Sequence, residues 1–437
     1  MPITHAKQGW PRATIVVVAI CFTTVIFDGY DLIVYGAVIP LLLQEPGWSM
    51  SPAAAGAIGG YALIGMLIGA LVAGTITDII GRRPTILLCL TWFSLATGAC
   101  AMAGSKEWLG ALRFLAGLGL GGVIPTATAL TLEYAPAQRR NFTYALMFSG
   151  WAVGGVLTAV VGQALLPEAG WRVMFLIGAL PIVIVLPLAV GLLPESLEFL
   201  RARGRHAEAS QVARRFGLPE EPTSPARPPA KRTPVRMLFV TERRVMTSLL
   251  WAGCFLGLLL VYGLNTWLPQ IMRQAGFSLG SALNFLLALN AGTILGALVM
   301  AKLADRRGPK QALVTMFAIA SVSILLLSTE QPMAIGLVLV AGAGFGVGTQ
   351  ILLNAYIGNC YPAAGRATAL GWSLGFGRLG AILGPVVGGW LVAAESDWRI
   401  NFYFYAAIAV AAGLIIVLVP RTPAVAEEES GVGQSES

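Results

Sequence analysis

The sequence predicts an all-α membrane protein with twelve transmembrane helices in two pseudo-symmetric six-helix bundles. Three observations support this fold class. Of the 437 residues, 56% are hydrophobic and only 11% are charged, whereas soluble domains carry about 25% charged residues. The apolar residues are gathered into long runs, and motifs of the first half of the chain recur at matching places in the second half.

The number of spans follows from length, since about 20 apolar residues cross the hydrocarbon core of a bilayer. Short polar gaps separate the apolar runs. The predicted spans are residues 14–40, 53–76, 84–103, 108–132, 141–164, 172–193, 245–268, 282–303, 311–329, 333–357, 367–393 and 401–420.

The longest break, residues 194–244, is rich in Arg, Pro and Glu and predicts a cytoplasmic linker with a short amphipathic helix. It divides an N-terminal bundle, residues 1–193, from a C-terminal bundle, residues 245–420. Residues 421–437 predict a disordered acidic tail. With both termini and the linker in the cytoplasm, four of the 29 basic residues fall outside and two fall within spans. Because cytoplasmic loops carry an excess of Lys and Arg, we expect this orientation.

Two loops repeat one pattern, a small residue, an aspartate and a glycine at fixed spacing, followed by basic residues. An acid near a helix end can pair with a basic loop or cap a neighbouring helix N-terminus, so we interpret both loops as gates; the alternative is that the arginines serve only topology. Arginines that follow the polar turns after spans 4 and 10 are assigned to the same gates. The predicted gating residues are Gly74, Asp78, Gly81, Arg82, Arg83, Asp305, Arg306, Gly308, Arg139 and Arg366.

Two carboxylates, Asp28 and Asp31, lie inside the first span with Gly29 between them. A charge at that depth costs at least about 2.5–3.5 kcal/mol and marks a functional candidate. Residues three apart share roughly one helix face. We predict that one of the two aspartates carries a proton, without separating them; the alternative is a structural polar pair satisfied by a neighbouring helix.

Two arginines, Arg113 in span 4 and Arg378 in span 11, also lie inside spans. Arg113 is expected to pair with an aspartate of span 1, so that protonation frees its guanidinium; a permanent structural pair is the alternative. Span 11 contains no acid, so Arg378 is predicted to hold an anionic substrate by two-point contact. A salt bridge from Arg378 to span 1 is the alternative.

Polar and aromatic residues inside spans complete the predicted substrate site, because a cavity for an aromatic anion needs flat apolar walls and a few hydrogen-bond donors. Helix–helix hydrogen bonding is the alternative for the amides, and packing or an interfacial belt is the alternative for the aromatics. With Arg378, Arg113 and Asp31, the predicted site contains Tyr35, Tyr262, Asn265, Asn290, Gln350, Asn354 and Trp372.

Several classes of function are not expected. The sequence shows no nucleophile–base set, no metal-ligand spacing and no Gly-Lys-Ser/Thr phosphate loop, so we predict neither an enzyme nor a bound metal or cofactor. The glycine runs at 117–122 and 342–348 lie inside spans and predict close helix packing. The basic excess, 29 against 21 acidic residues, lies in the gaps between spans and does not indicate nucleic acid.

The two repeated loops, together with Pro194-Glu195-Ser196, resemble the major facilitator superfamily across essentially the whole chain. Within it, Asp28-Gly29-Tyr30-Asp31 resembles the Asp-Gly-x-Asp motif of the aromatic acid:proton symporters, which include benzoate and 4-hydroxybenzoate transporters. Charged residues at places where that family carries charge are Arg113, Glu133, Arg366 and Arg378. The resemblance implies a part for Glu133 in proton coupling. The second loop departs from the full pattern at Ala301 and Pro309.

We therefore expect a proton-coupled symporter that imports an aromatic carboxylate by alternating access, driven by the proton gradient. We expect it to act as a monomer in the bilayer of a bacterial cytoplasmic membrane. Two alternatives remain open, a proton symporter for another small molecule such as a dicarboxylate or a sugar, and a membrane sensor that does not transport.

Overall fold

The structure is a computed structural model, and it describes residues 11–136, 139–216, 238, 243–361, 363–394 and 397–420. In this part of the chain the regular elements are fifteen helices. The first eight are α1 (Arg12–Leu42), α2 (Pro52–Ile80), α3 (Arg82–Cys100), α4 (Lys106–Tyr134), α5 (Arg140–Gly178), α6 (Pro181–Leu192), α7 (Leu197–Ala202) and α8 (His206–Phe216). The remaining seven are α9 (Arg244–Gln274), α10 (Leu279–Arg307), α11 (Pro309–Leu326), α12 (Met333–Val347), α13 (Thr349–Cys360), α14 (Ala363–Ala393) and α15 (Arg399–Leu418).

The predicted spans all fall on helices. Within the described residues, ten helical stretches are long and apolar enough to cross a membrane. One of these, Phe142–Leu192, contains two predicted spans, which are separated where Gly170 adopts φ 71° and ψ −174°. The shorter α3 coincides with another predicted span. The prediction of an all-α membrane protein with this arrangement of spans is confirmed.

The chain divides into two compact units, residues 1–50 with 61–227 and residues 51–60 with 228–437. The start of α2 therefore groups with the second unit. Part of the predicted linker forms α7 and α8, whereas the predicted disordered tail, residues 421–437, lies outside the described residues.

Glycines allow close helix crossings inside each unit. In the first unit α1 crosses α5 so closely that a Cβ on Gly29 would overlap the carbonyl group of Trp151. In the second unit α9 crosses α14 in the same way, with Gly380 against the carbonyl group of Phe255. Without a hydrophobic driving force between helices in lipid, such backbone approach is a main source of packing energy. It positions the buried polar residues of α1.

Candidate functional site

The centre of the candidate site is an ion pair between α1 and α4. Arg113 Nη1 donates to Asp31 Oδ2 over 2.7 Å, and the two side chains are 1% and 0% exposed. Arg113 Nη2 also donates to the main-chain carbonyl of Asp31 at 3.2 Å. Charges removed from water are stable only when they are paired and hydrogen-bonded. The sequence predicted a pair between Arg113 and one aspartate of span 1. The structure shows this pair and identifies Asp31 as the aspartate.

The second oxygen of Asp31 has a partner from α3. Thr97 Oγ1 donates to Asp31 Oδ1 at 2.5 Å, and the ring of Tyr35 lies 5.6 Å from the Arg113 guanidinium carbon. Each oxygen of the Asp31 carboxylate therefore accepts one hydrogen bond from a different helix. Sequence reasoning missed Thr97, because a threonine inside a span is common and often satisfies its own helix.

Asp28 and Glu133, the other acids assigned to proton coupling, have different surroundings. Asp28 is fully buried one turn before Asp31. Glu133 lies at the end of α4, twenty residues after Arg113, which is about 30 Å along a helix. Its Oε1 accepts the backbone N–H of Glu198, in the first turn of α7, at 2.9 Å. The structure therefore does not bring Glu133 to the Asp31–Arg113 pair.

At the first predicted gate, Glu195 caps the N-terminus of α3. The Glu195 carboxylate accepts the backbone N–H groups of Arg82 at 2.9 Å, Arg83 at 3.1 Å and Ser196 at 2.8 Å. Arg82 and Arg83 begin α3, and a carboxylate is stabilising at a helix N-terminus. By contrast, the Asp78 side chain is exposed and its carbonyl accepts from Arg203 Nη2 at 2.8 Å. In this unit the capping acid is thus Glu195.

Basic residues of both loops donate hydrogen bonds to carbonyls at helix C-termini. Arg83 Nη2 donates to the carbonyl of Val190 near the end of α6, at 2.5 Å. At the matching place in the second unit, two residues after Gly308, Lys310 Nζ donates to the carbonyls of Val417 at 2.9 Å and Val419 at 2.5 Å, at the end of α15. Cations are favourable at helix C-termini. The internal repeat therefore extends from the loop motif to the helix end that it contacts.

The remaining gating residues differ in their exposure, from the buried Gly81 to the exposed Gly74. Gly81 and Gly308 both have positive φ, 105° and 89°, as the turn between two helices requires. The Arg82 guanidinium carbon lies 5.7 Å from the centre of the Phe199 ring in α7. Residues of the predicted gates that are exposed are Gly74, Asp305, Arg306, Arg139 and Arg366.

Two of the predicted substrate-site amides bind each other. Asn290 Nδ2 donates to Asn265 Oδ1 at 3.2 Å, and both amides also donate to carbonyls of their own helices. Gln350 Nε2 donates to Asn354 Oδ1 at 3.1 Å within α13. The Asn265–Asn290 bond joins α9 to α10, which is the helix–helix alternative for these two amides, whereas the Gln350–Asn354 bond stays within one helix. Asn290 Oδ1 is buried with no hydrogen-bond partner among the described residues.

The other substrate candidates of the second unit are less buried. Arg378 and Tyr262 are half-buried. Trp372 is 48% exposed and stacks on Trp251, with ring centres 5.9 Å apart and planes at 9°. Trp251 also stacks on Phe376 at 5.4 Å. Sequence reasoning did not select Trp251 or Phe376, although flat aromatic surfaces belong to the type of residue it sought.

The profile of the Major Facilitator Superfamily matches residues 21–347 and 281–436 of the chain. The chain belongs to this superfamily.

The chain is similar to the benzoate transport protein of Acinetobacter baylyi, with 39% identity over 90% of this chain and 86% of that protein. It is also similar to the gentisate transporter of Corynebacterium glutamicum, with 38% identity over 91% of this chain and 85% of the relative. Relatives at this identity confirm that the chain belongs to the aromatic acid transporter branch predicted from Asp28-Gly29-Tyr30-Asp31. Among solved structures, a partially occluded inward-open xylose transporter XylE from E. coli aligns with a TM-score of 0.74 and 17% identity, over 94% of this chain and all of the other. That likeness shows the fold alone.

As a member of the major facilitator superfamily, the chain is a multi-pass membrane protein of a transporter family rather than of an enzyme family.

The structure adds a repeat that sequence reasoning missed, which we call the Trp-Arg corners, Trp171–Arg172 and Trp398–Arg399. Arg172 pairs with Glu45 at 2.9 Å and Arg399 pairs with Glu330 at 2.8 Å. Each arginine stacks on its own tryptophan, at 4.3 and 4.9 Å. The signal in the sequence was a Trp-Arg dipeptide at the start of spans 6 and 12.

Arg399 also affects a neighbouring acid outside the spans. It donates to Asp397 Oδ2 at 3.0 Å, and this hydrogen bond from the Arg399 side chain lowers the pKa of Asp397 below its usual range. Asp397 therefore keeps its charge to a lower pH than an ordinary aspartate does, and its ion pair with Arg399 persists further into the acid range.

Proposed function

We propose that this protein is a proton-coupled symporter that imports aromatic carboxylates such as benzoate and hydroxybenzoates by alternating access. The observation that carries the proposal is the buried Asp31–Arg113 pair in a chain 39% identical to a benzoate transport protein. Two relatives are named for benzoate and for gentisate. Both compounds are aromatic rings that carry a carboxylate. This common chemistry favours an aromatic acid over a dicarboxylate or a sugar.

Asp31 and Arg113 are proposed to couple the proton to the substrate. In the ionised state the aspartate neutralises the guanidinium at 2.7 Å. When Asp31 takes up a proton, the guanidinium of Arg113 keeps its charge and loses its counter-ion, so the unit gains a net positive charge inside the membrane. A carboxylate substrate is then the favourable compensating charge. Asp28, one turn away, is a second proton site in this proposal.

Arg378 is proposed to bind the substrate carboxylate, because a guanidinium matches a carboxylate by two parallel hydrogen bonds. The stacked aromatic residues of the second unit, Trp251, Trp372 and Phe376, are proposed to supply apolar walls for the ring. The segments 74–83 and 305–308, each of which contains the turn between two helices, are proposed to act as gates during the exchange of access. We also propose that the protein works as a monomer in a bacterial cytoplasmic membrane, with both termini in the cytoplasm.

Coupling to protons fits the energetics of uptake. An inside-negative potential opposes the entry of a monoanion by about 2.3 kcal/mol per 100 mV. One accompanying proton cancels this electrical term, and the proton gradient then drives accumulation. No organic cofactor or metal has a part in this proposal.

The test is uptake of radiolabelled benzoate into proteoliposomes that contain the purified chain. With an inward proton gradient we expect accumulation above the external concentration, and collapse of the gradient with a protonophore should abolish it. Unlabelled aromatic acids should compete, while dicarboxylates and sugars should not. Competition by a sugar or a dicarboxylate instead, or binding of benzoate without flux, would reject the proposal.

The substrate contact has its own variant. Arg378→Lys keeps the charge but removes the fork geometry, so we expect benzoate affinity to fall by about tenfold, the loss of one good hydrogen bond to a charged group. Arg273→Lys, at an exposed arginine outside the predicted site, is the matched control and should leave affinity unchanged. Equal affinity of Arg378→Lys and the unaltered protein would remove Arg378 from the site.

A further inference from the structure

We propose that Thr97 is a positioning residue for the proton site, a hydroxyl that reverses from donor to acceptor when Asp31 is protonated. This inference rests on the proposed function and adds a residue of α3 to it. Thr97 is fully buried and donates to Asp31 Oδ1 at 2.5 Å.

The behaviour of the neighbouring threonines shows that the Thr97 bond is a departure from the local rule. Within α3, Thr85 donates to the carbonyl of Gly81 at 2.7 Å, and Thr91 donates to the carbonyl of Leu87 at 2.8 Å. Both use the acceptor four residues back, the ordinary choice for a threonine in a helix. Thr97, six residues after Thr91, donates across to α1 instead.

A glycine makes room for this orientation. A Cβ on Gly178, at the end of α5, would overlap the Cγ2 methyl of Thr97. The methyl is therefore seated in a gap that only the absence of a side chain provides, and the hydroxyl is directed toward Asp31.

The two donors to Asp31 differ in what they can do after protonation. The guanidinium of Arg113 has donors only and cannot accept a hydrogen bond, whereas a hydroxyl both donates and accepts. A proton on Oδ2 would face the N–H of Arg113, so the proton binds Oδ1. The new O–H bond on Oδ1 then donates to Thr97 Oγ1. Thr97 keeps its own hydrogen, which turns to the carbonyl of Phe93, the acceptor four residues back.

The other titratable and charged groups that face Asp31 come from α4, α3 and α1. From α4 comes Arg113, and from α3 Cys100 lies within electrostatic reach of both charges, but its thiol donates to the carbonyl of Ala96 at 3.4 Å. Helix α6 carries no titratable side chain. The titratable neighbours on α1 itself are Asp28, Tyr30 and Tyr35, and α5 faces this stretch with Trp151, Gly154 and Thr158, which do not titrate.

The Thr97 hydroxyl therefore affects the pH at which Asp31 takes up its proton. A hydrogen bond to a carboxylate is roughly twice as strong as one between neutral groups, so the Thr97 hydroxyl stabilises ionised Asp31 more than protonated Asp31. Removing the hydroxyl should let Asp31 load its proton at a higher pH. The difference between a charged and a neutral hydrogen bond corresponds to a shift of about one pH unit.

The experiment compares Thr97→Val, which keeps the shape and loses the hydroxyl, with Thr97→Ser, which keeps the hydroxyl. In proteoliposomes, the pH midpoint of benzoate uptake should rise by about one unit in Thr97→Val and stay within about 0.3 units in Thr97→Ser. Thr24→Val is the control, because Thr24 is buried on α1 and donates to the carbonyl of Ile20 at 2.8 Å. Its midpoint should not move.

A second readout does not depend on transport. Infrared difference spectra of the reconstituted chain between high and low pH should contain a carboxylic acid band that Asp31→Asn removes. The pH at which this band appears should rise in Thr97→Val and in Thr97→Ala, the smaller variant to use if valine prevents folding. If the Asp31 band shifts while benzoate is not transported, the proposed function fails and the role of Thr97 stands. An unchanged band and midpoint in both variants, or equal shifts in Thr97→Val and Thr97→Ser, would overturn the role of Thr97.

Discussion

The carboxylate of Glu195 occupies the space that a side chain on residue 81 would fill. Gly81 has φ 105°, and an ideal Cβ there would overlap Glu195 Oε2. From this place Glu195 accepts the first backbone N–H groups of α3. The glycine of the repeated loop is therefore needed for two reasons, its backbone conformation and the seat that it leaves for an acid from more than a hundred residues later.

Gly81→Ala should destabilise the protein. A side chain in this region of φ costs about 1–3 kcal/mol, and displacement of Glu195 adds the loss of an N-cap, about 0.5–2 kcal/mol. The measurement is the thermal unfolding midpoint of the purified protein in detergent. Gly74→Ala is the matched control, because a Cβ there meets no atom within 4 Å and alanine favours a helix. Equal midpoints for Gly81→Ala and the unaltered protein would contradict this account of the loop.

Asp31→Asn should abolish proton-driven accumulation of benzoate and also lower stability, because it leaves the buried charge of Arg113 without its counter-ion. Removing one partner of a buried ion pair costs about 3–5 kcal/mol, whereas removing both is far less costly. We therefore expect Asp31→Asn combined with Arg113→Gln to unfold at a higher temperature than Asp31→Asn alone. A double variant that is less stable than either single variant would show that the two side chains do not act as a pair.

Lys310→Met should lower the unfolding midpoint, since the Lys310 ammonium group satisfies two carbonyls at the end of α15. A hydrogen bond from a charged donor contributes about 1.5–3 kcal/mol, which solvent at this partly exposed position reduces to about 1 kcal/mol. Arg83→Met should have a similar effect through the carbonyl of Val190. Lys302→Met, at an exposed lysine of α10, is the control, and a loss of the same size there would assign the effect to net charge.

The fold was predictable because length and hydropathy determine which segments can cross a bilayer. The Asp31–Arg113 pair was predictable for a related reason, since a buried charge requires compensation. The choice between Asp28 and Asp31 was not, because residues three apart differ by only about 60° around a helix, and the packing of α1 decides which one reaches α4.

The capping role of Glu195 shows a second limit of prediction from the sequence. Sequence spacing identified an acid beside the loop, Asp78, as the candidate for a helix cap. The structure places Glu195 at the N-terminus of α3 instead. Which of two acids reaches a helix end depends on the position of α7 relative to α3, a tertiary relationship that no local pattern encodes. The pairing of Asn265 with Asn290 depends on tertiary packing in the same way.

The two Trp-Arg corners differ in how deeply the acid of the ion pair is buried. This difference predicts that the two ion pairs differ in strength. Glu45 is 17% exposed and also accepts from Trp171 Nε1 at 2.7 Å, whereas Glu330 is 85% exposed. Solvent screens an ion pair, and a mobile side chain loses entropy on forming it. The Glu45–Arg172 pair should therefore stabilise its unit more than Glu330–Arg399 does.

Double-mutant cycles measure this difference, with Glu45→Gln and Arg172→Gln in one cycle and Glu330→Gln and Arg399→Gln in the other. We expect a coupling energy of about 0.5–1 kcal/mol for the first pair, the upper part of the range for partly exposed pairs. The second coupling should be smaller. Raising the ionic strength should weaken the second coupling more, because Glu45 is shielded by α5 and its indole partner. If the couplings were equal, or if the Glu330 pair were stronger, then burial of the acid would not determine the strength of these corners.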